Sequence, residues 1–292
     1  MTSVTDLADL RPDPAGDGPD RRTYRIDISP VFTIGPKVHG GVLQVISAHA
    51  ATRALRETAP DADGVDAVAD LVPVAISTEY LGAPDPAEVT VRAQVRKRGR
   101  RISVMDVEIV QGSRTLVHSS VSMARLDHGE PRHATSGALS EMPSEPPADA
   151  VHVDGSPLAS VINLSGAIAL AYEADSAPFV RGEVGEPVLR LWARPHDVEP
   201  DAFFALLAGD ISAPVVMNLG LFGWAPTLQL TTYVRRMPAP GWLRVQASSS
   251  EVGAGWFEED HQIIDSTGAL VAQSRQLALI PADTAAATGG QQ

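Results

Sequence analysis

The chain has 292 residues, a net charge of −13 and an isoelectric point near 5.0, with 44% hydrophobic and 20% charged residues and no cysteine. The acid excess argues against nucleic acid as a partner. Lack of cysteine removes disulfides, thiolate nucleophiles and Cys-ligated metals, and suits the expected reducing cytoplasm. The apolar share is that of a chain with a real core.

The first residues lack a basic stretch followed by an apolar core, so no secretory signal is expected. No run approaches the roughly 20 apolar residues of a membrane span. Residues 1–20, rich in Asp, Pro and Gly, predict a mobile arm. Residues 21–28 alternate as a strand. His39-Gly40-Gly41 opens an apolar run in which Val42, Val45, Ile46 and His49 share one helix face, predicting a helix over 41–57 that ends before Pro60. The period then changes to two. Residues 72–80, 88–96, 102–110 and 116–126 read as strands separated by turn material. Residues 128–157, rich in Pro, Ser and Glu, predict a linker. Residues 158–170 are ambiguous between strand and helix, 188–194 predict a strand, and 200–219 a helix followed by loop. Four more β-type runs follow, and 284–292 predict a mobile tail.

The two sets of strands superpose in sequence at a constant offset of 154. Ile76-Ser77-Thr78 faces Leu230-Thr231-Thr232, Pro84 and Pro86 face Pro238 and Pro240, and Gly99 faces Gly253. Ile109 faces Ile263, and Ser120 faces Ser274. Turn and strand residues keep phase together, which makes the chain two copies of one unit. The helices align at an offset of 162, residues 43–49 over 205–211. The expected domains are therefore 21–127 and 158–283, each an α+β unit of one helix against an antiparallel sheet.

A long helix opened by His-Gly-Gly and wrapped by a sheet, present twice, resembles the acyl-CoA thioesterase II family of double-hotdog enzymes. The resemblance is clearest at 189–194, 206–214 and 268–279. It implies two tandem hotdog units, an acyl-CoA substrate, hydrolysis to free acid and CoA, and no cofactor. It also implies that a helix aspartate, a strand threonine and a late-strand glutamine hold the hydrolytic water, which by position are Asp210, Thr227 and Gln276. In the first copy the corresponding positions are Ala48, Pro73 and Ser122, so only the second copy carries the three. Many single-domain hotdog thioesterases that begin with His-Gly-Gly carry a carboxylate seven residues after the second glycine, and that position here is Ala48.

A carboxylate can take a proton from water while Thr and Gln side chains orient it, and a helix N-terminus can meet the developing oxyanion. His39, Gly40 and Gly41 are candidate substrate contacts for that reason. Arg96, Arg98, Arg100 and Arg235 are candidates for the CoA phosphates. Each has a plainer reading: Asp210 as a cap, Thr227 and Gln276 as ordinary strand residues, the arginines as solvated hairpin charge. No G-x-S-x-G, P-loop or H-E-x-x-H motif points to other chemistry. A non-catalytic acyl-CoA binder is the alternative. A hotdog dehydratase or hydratase would need a His paired with a carboxylate, and no such pair stands out in the sequence. Hotdog sheets commonly associate, so a homo-oligomer is expected.

Overall fold

The structure is a computed structural model that describes residues 2–59, 62–135 and 137–282. The first half runs β1 (Arg11–Pro12), β2 (Arg21–Asp27), β3 (Thr33–Ile34), β4 (Lys37–Val38), α1 (Gly40–Glu57) and α2 (Ala62–Val68). Strands β5 (Val72–Tyr80), β6 (Glu88–Lys97), β7 (Ser103–Gln111) and β8 (Arg114–Ala124) complete it. The second half runs α3 (Ala138–Glu141), β9 (Val151–His152), β10 (Ile168–Tyr172), β11 (Val188–Pro195) and α4 (Ala202–Leu207). It ends with β12 (Thr227–Val234), β13 (Leu243–Ser248), β14 (Trp256–Ile264) and β15 (Leu270–Leu279).

Thirteen strands form one antiparallel sheet in the order β1-β2-β6-β7-β8-β5-β12-β15-β14-β13-β11-β10-β9, with α1 and α4 packed against it. This is the double hotdog expected. The two copies meet where β5 pairs with β12. There Ser77 lies opposite Thr231, its own counterpart 154 positions on, and their hydroxyls are 2.9 Å apart. A local dyad therefore passes between these two residues. Gln44 of α1, fully buried, spans it: its amide nitrogen donates to Thr78 Oγ1 (3.1 Å) and the Leu230 carbonyl (3.0 Å), and its oxygen accepts from Thr232 Oγ1 (2.8 Å). A buried amide is tolerated here because its polar atoms are matched.

The helix of the first copy forms as its pattern predicts, with Val42, Leu43, Val45, Ile46, Ala50 and Ala54 buried. Its counterpart is much shorter. After Leu207 it tightens to a 3₁₀ turn over Ala208–Asp210. Gly209 is pressed to the sheet, where a Cβ would stand 2.9 Å from Thr232 Cγ2. Beyond it the Ala213 N–H is taken by the Tyr172 hydroxyl (3.0 Å), and Pro214 cannot continue the ladder. The stretch Ala202–Leu219 has a mean hydropathy of 1.6 and passes, by length and composition, for a membrane span, contrary to expectation; 61% of it is buried within this fold.

Four further expectations change. Residues 2–20 are not a loose arm. Ser3 caps a 3₁₀ turn over Val4–Ala8, Leu7 and Leu10 are buried, and β1 pairs with β2. The second part of the linker is a cover: Leu139 and Met142 pack on Trp192 and Ile264, Trp192 Nε1 donates to the Pro143 carbonyl, and β9 extends the sheet. Helix α2 follows α1 where only a break was expected; Pro60 itself lies outside the described residues, as does the tail at 284–292. Finally, the offset between β8 and β15 is 155, since Met105 pairs with Val121 while its counterpart Glu259 pairs with Gln276. The turn before β15 is one residue longer. The residue at the place of Gln276 is thus Val121, not Ser122.

Candidate active site

Helices α1 and α4 pack against each other, with the N-terminus of α1 beside the C-terminal end of α4. The side chain of His39, the N-cap residue of α1, does not cap its own helix. Instead Asp210 does so from the other copy: the Gly41 N–H donates to Asp210 Oδ2 at 2.6 Å. A carboxylate is favoured at this positive helix end. The approach demands glycine, because a Cβ on Gly40 would lie 2.7 Å from Asp210 Oδ2 and one on Gly41 3.0 Å from Asp210 Cβ. His39 Nε2 donates to the Asp210 carbonyl (2.8 Å) and lies 3.7 Å from Oδ2, and the Tyr80 hydroxyl donates to the Gly40 carbonyl (2.9 Å).

Burial raises the Asp210 carboxyl above the usual range, opposed by His39, by His261 and by the Gly41 N–H. The Tyr80 hydroxyl is also pushed up, by burial first and then by Asp210.

Thr227 and Gln276 meet on the sheet, where Thr227 Oγ1 donates to Gln276 Oε1 at 2.7 Å. Ser274, two residues from Gln276 on the same face of β15, donates to the carbonyl of Gly209, the residue before Asp210. Among the described residues no hydrogen bond joins Asp210 directly to Thr227 or Gln276.

The remaining arginine candidates lie elsewhere. Arg98 donates to the Leu55 and Thr58 carbonyls at the far end of α1; a helix of 18 residues is about 27 Å long. Arg100 belongs to the same hairpin tip, and Arg96 pairs with Asp106 on the outer face of the sheet. Arg235 bonds Gln273 just beyond β12, at the other end of that strand from Thr227. Arg96, Arg98, Arg100 and Arg235 are thus not brought to Asp210, because each sits at a strand or hairpin end remote from the start of α1.

Two residues absent from the sequence reading stand beside the site. Glu259 and His261 of β14 have fully buried side chains, with His261 Nε2 3.2 Å from Glu259 Oε1. Strict alternation with Phe257 and Ile263 points both inward, and that parity was the available signal. Among the described residues two buried His/carboxylate pairs therefore exist, His39–Asp210 and His261–Glu259, where the sequence suggested none. Ser212 Oγ bonds both Glu259 Oε1 (2.8 Å) and His261 Nε2 (2.9 Å). This is not a nucleophile relay, since serine and carboxylate share one ring nitrogen. Among the described residues no three His, Asp or Glu side chains are grouped to hold a metal.

A family model of the acyl-CoA thioesterase N-terminal domain matches residues 28–124, and one of the C-terminal domain matches residues 139–280. This chain belongs to the acyl-CoA thioesterase family. Uncharacterized proteins of Mycobacterium tuberculosis and Mycobacterium bovis are 40% identical to it over 300 residues, covering 97% of this chain and 98% of each relative. A protein of Thermobifida fusca assigned as a thioesterase II superposes with a TM-score of 0.77 at 27% identity, covering 97% of this chain and 98% of that one. An acyl-CoA thioesterase II of Mycobacterium marinum has the same fold, with a TM-score of 0.64 at 17% identity over 99% of both chains. Membership in this family places thioester hydrolysis ahead of other chemistries.

Proposed function

We propose that the protein hydrolyses acyl-CoA thioesters at the Asp210 end of the helix pair. One observation carries this reading: Asp210 and Gln276 each have one side-chain atom fixed by a hydrogen bond and one left open. Asp210 Oδ2 is held by Gly41 and Gln276 Oε1 by Thr227, while Asp210 Oδ1 and Gln276 Nε2 have no hydrogen-bond partner among the described residues. A water donating to the first and accepting from the second would be oriented for attack. As its oxygen bonds to the thioester carbon, its proton passes to Asp210. Negative charge gathers on the carbonyl oxygen, which the positive end of α1 stabilises. The C–S bond then breaks, Asp210 returns the proton to the leaving sulfur, and the products are a carboxylic acid and CoA thiol.

The test is thiol release from a panel of acyl-CoAs. Turnover that Asp210→Asn abolishes supports the reading. Intact acyl-CoA recovered from the protein, or a fully active Asp210→Asn variant, overturns it. A hydratase is the second reading, favoured by the 3.7 Å approach of His39 Nε2 to Asp210 Oδ2. Hydration of an enoyl-CoA without thiol release distinguishes it.

A further inference from the structure

The β14 cluster has an internal control. At the offset of 154, Glu259 and His261 correspond to Met105 and Val107, which are fully buried in the first copy. The fold itself is therefore satisfied by apolar side chains at these two positions. The Glu/His pair occurs only in the copy that carries Asp210; the first copy has Ala48 there.

The pair is also tied to the segment that follows Asp210. Glu259 Oε2 accepts the Val215 N–H (3.0 Å), and Oε1 accepts the Ser212 hydroxyl. With that hydroxyl donated to Glu259, His261 must carry its proton on Nε2 to complete the contacts. Its Nδ1 is buried and has no partner among the described residues. An unmatched ring nitrogen costs stability that an apolar residue would not, so something other than packing is served.

We propose that Glu259 and His261 are positioning residues that act on the reaction through Asp210, holding segment 211–215 in place and setting the charge that the Asp210 carboxylate faces. The proposal rests on the reading of Asp210 as the base. The groups around that carboxylate are His39 and the Gly41 N–H from the start of α1, Tyr80 from β5, and His261 and Glu259 from β14. Among the described residues no Lys or Arg joins them. A proton on His261 favours ionised Asp210, and charge on Glu259 opposes it. The two residues therefore pull in opposite directions, which a purely structural role would not reproduce.

The experiment is the pH profile of kcat/KM for acyl-CoA hydrolysis. His261→Gln should move the acidic limb up by about one pH unit and Glu259→Gln should move it down by a similar amount. The double variant Glu259→Met/His261→Val installs the residues of the first copy. It should still fold, because the first copy packs these two side chains at the same sheet positions, yet lose at least tenfold in kcat/KM. Limbs that stay in place, or a double variant with parental kcat/KM, overturn the proposal. If His261→Gln fails to fold, the downward shift of Glu259→Gln alone decides. Failure of the underlying reading looks different: no thiol release by the parent, or an active Asp210→Asn variant.

Discussion

The two ends of the α1–α4 pair are related by the dyad at Ser77 and Thr231, and they have diverged in how a helix N-terminus is capped. At one end α1 begins with two glycines and takes its acceptor from the other copy, Asp210. At the other end α4 is capped by its own residue, since Asp201 Oδ1 accepts the Phe204 N–H at 2.8 Å. There Phe203 stands in place of Gly41, and its ring stacks on His49 with centroids 3.8 Å apart. Burial lowers that histidine to about 4, so it is neutral at ordinary pH. The Val4–Ala8 turn covers the same end, leaving a cavity of about 110 Å³ lined by Val4, Leu7, His49, Phe203, Phe204 and Leu207. At the self-capped end the helix start is covered by the Phe203 and His49 rings. The cross-capped end instead brings bare glycine backbone and a carboxylate to one point.

The sharpest way to break this contrast is Asp210→Asn. An Asn oxygen still caps α1 but cannot accept a proton, so kcat should fall about 10²–10⁴-fold. The folded protein binds the Asp210 proton more tightly than the unfolded chain does, because its carboxyl is raised. That stabilising contribution is present at low pH and lost as pH rises through the raised value. Above it, Asp210→Asn should therefore melt higher than the parent in a thermal scan. Asp210→Ala, which also removes the cap, should not.

Ala48→Asp tests the opposite end. With α4 already capped by Asp201, the new carboxylate is buried without a partner and should cost about 3 kcal/mol in a denaturant titration, with no gain in turnover. Leu7→Ala should cost about 2–3 kcal/mol, loosening the cover while leaving kcat within twofold at low temperature. The smallest effect is expected of Thr227→Val. It frees Gln276 Oε1 and, at about 1.4 kcal/mol for a lost hydrogen bond in the site, should lower kcat about tenfold with little change in Tm.

Much of this fold was legible because turn and strand residues recur in phase, and a repeat of that kind leaves few architectures open. The α1 helix was readable from the spacing of Val42, Val45 and Ile46. The truncation of α4 was not, since it depends on Gly209 meeting Thr232 and on Ala213 meeting the Tyr172 hydroxyl, contacts between residues far apart in the chain. The polar composition of residues 2–20 concealed Leu7 and Leu10, two side chains sufficient to dock the segment on α1. The arginines drew attention by charge density, a local property. Glu259 and His261 were missed although their parity with Phe257 and Ile263 was available, because alternation gives a face without saying what lies against it.

The sequence alone determined the duplication, the order of elements and the asymmetry between Asp210 and Ala48, since all three are patterns along the chain. Only the tertiary structure decided that Gly41 and Asp210, 169 residues apart, meet in one hydrogen bond. The copies are joined by antiparallel pairing across a dyad. That pairing carries the start of each helix to the end of the other, so each end of the pair draws on both copies.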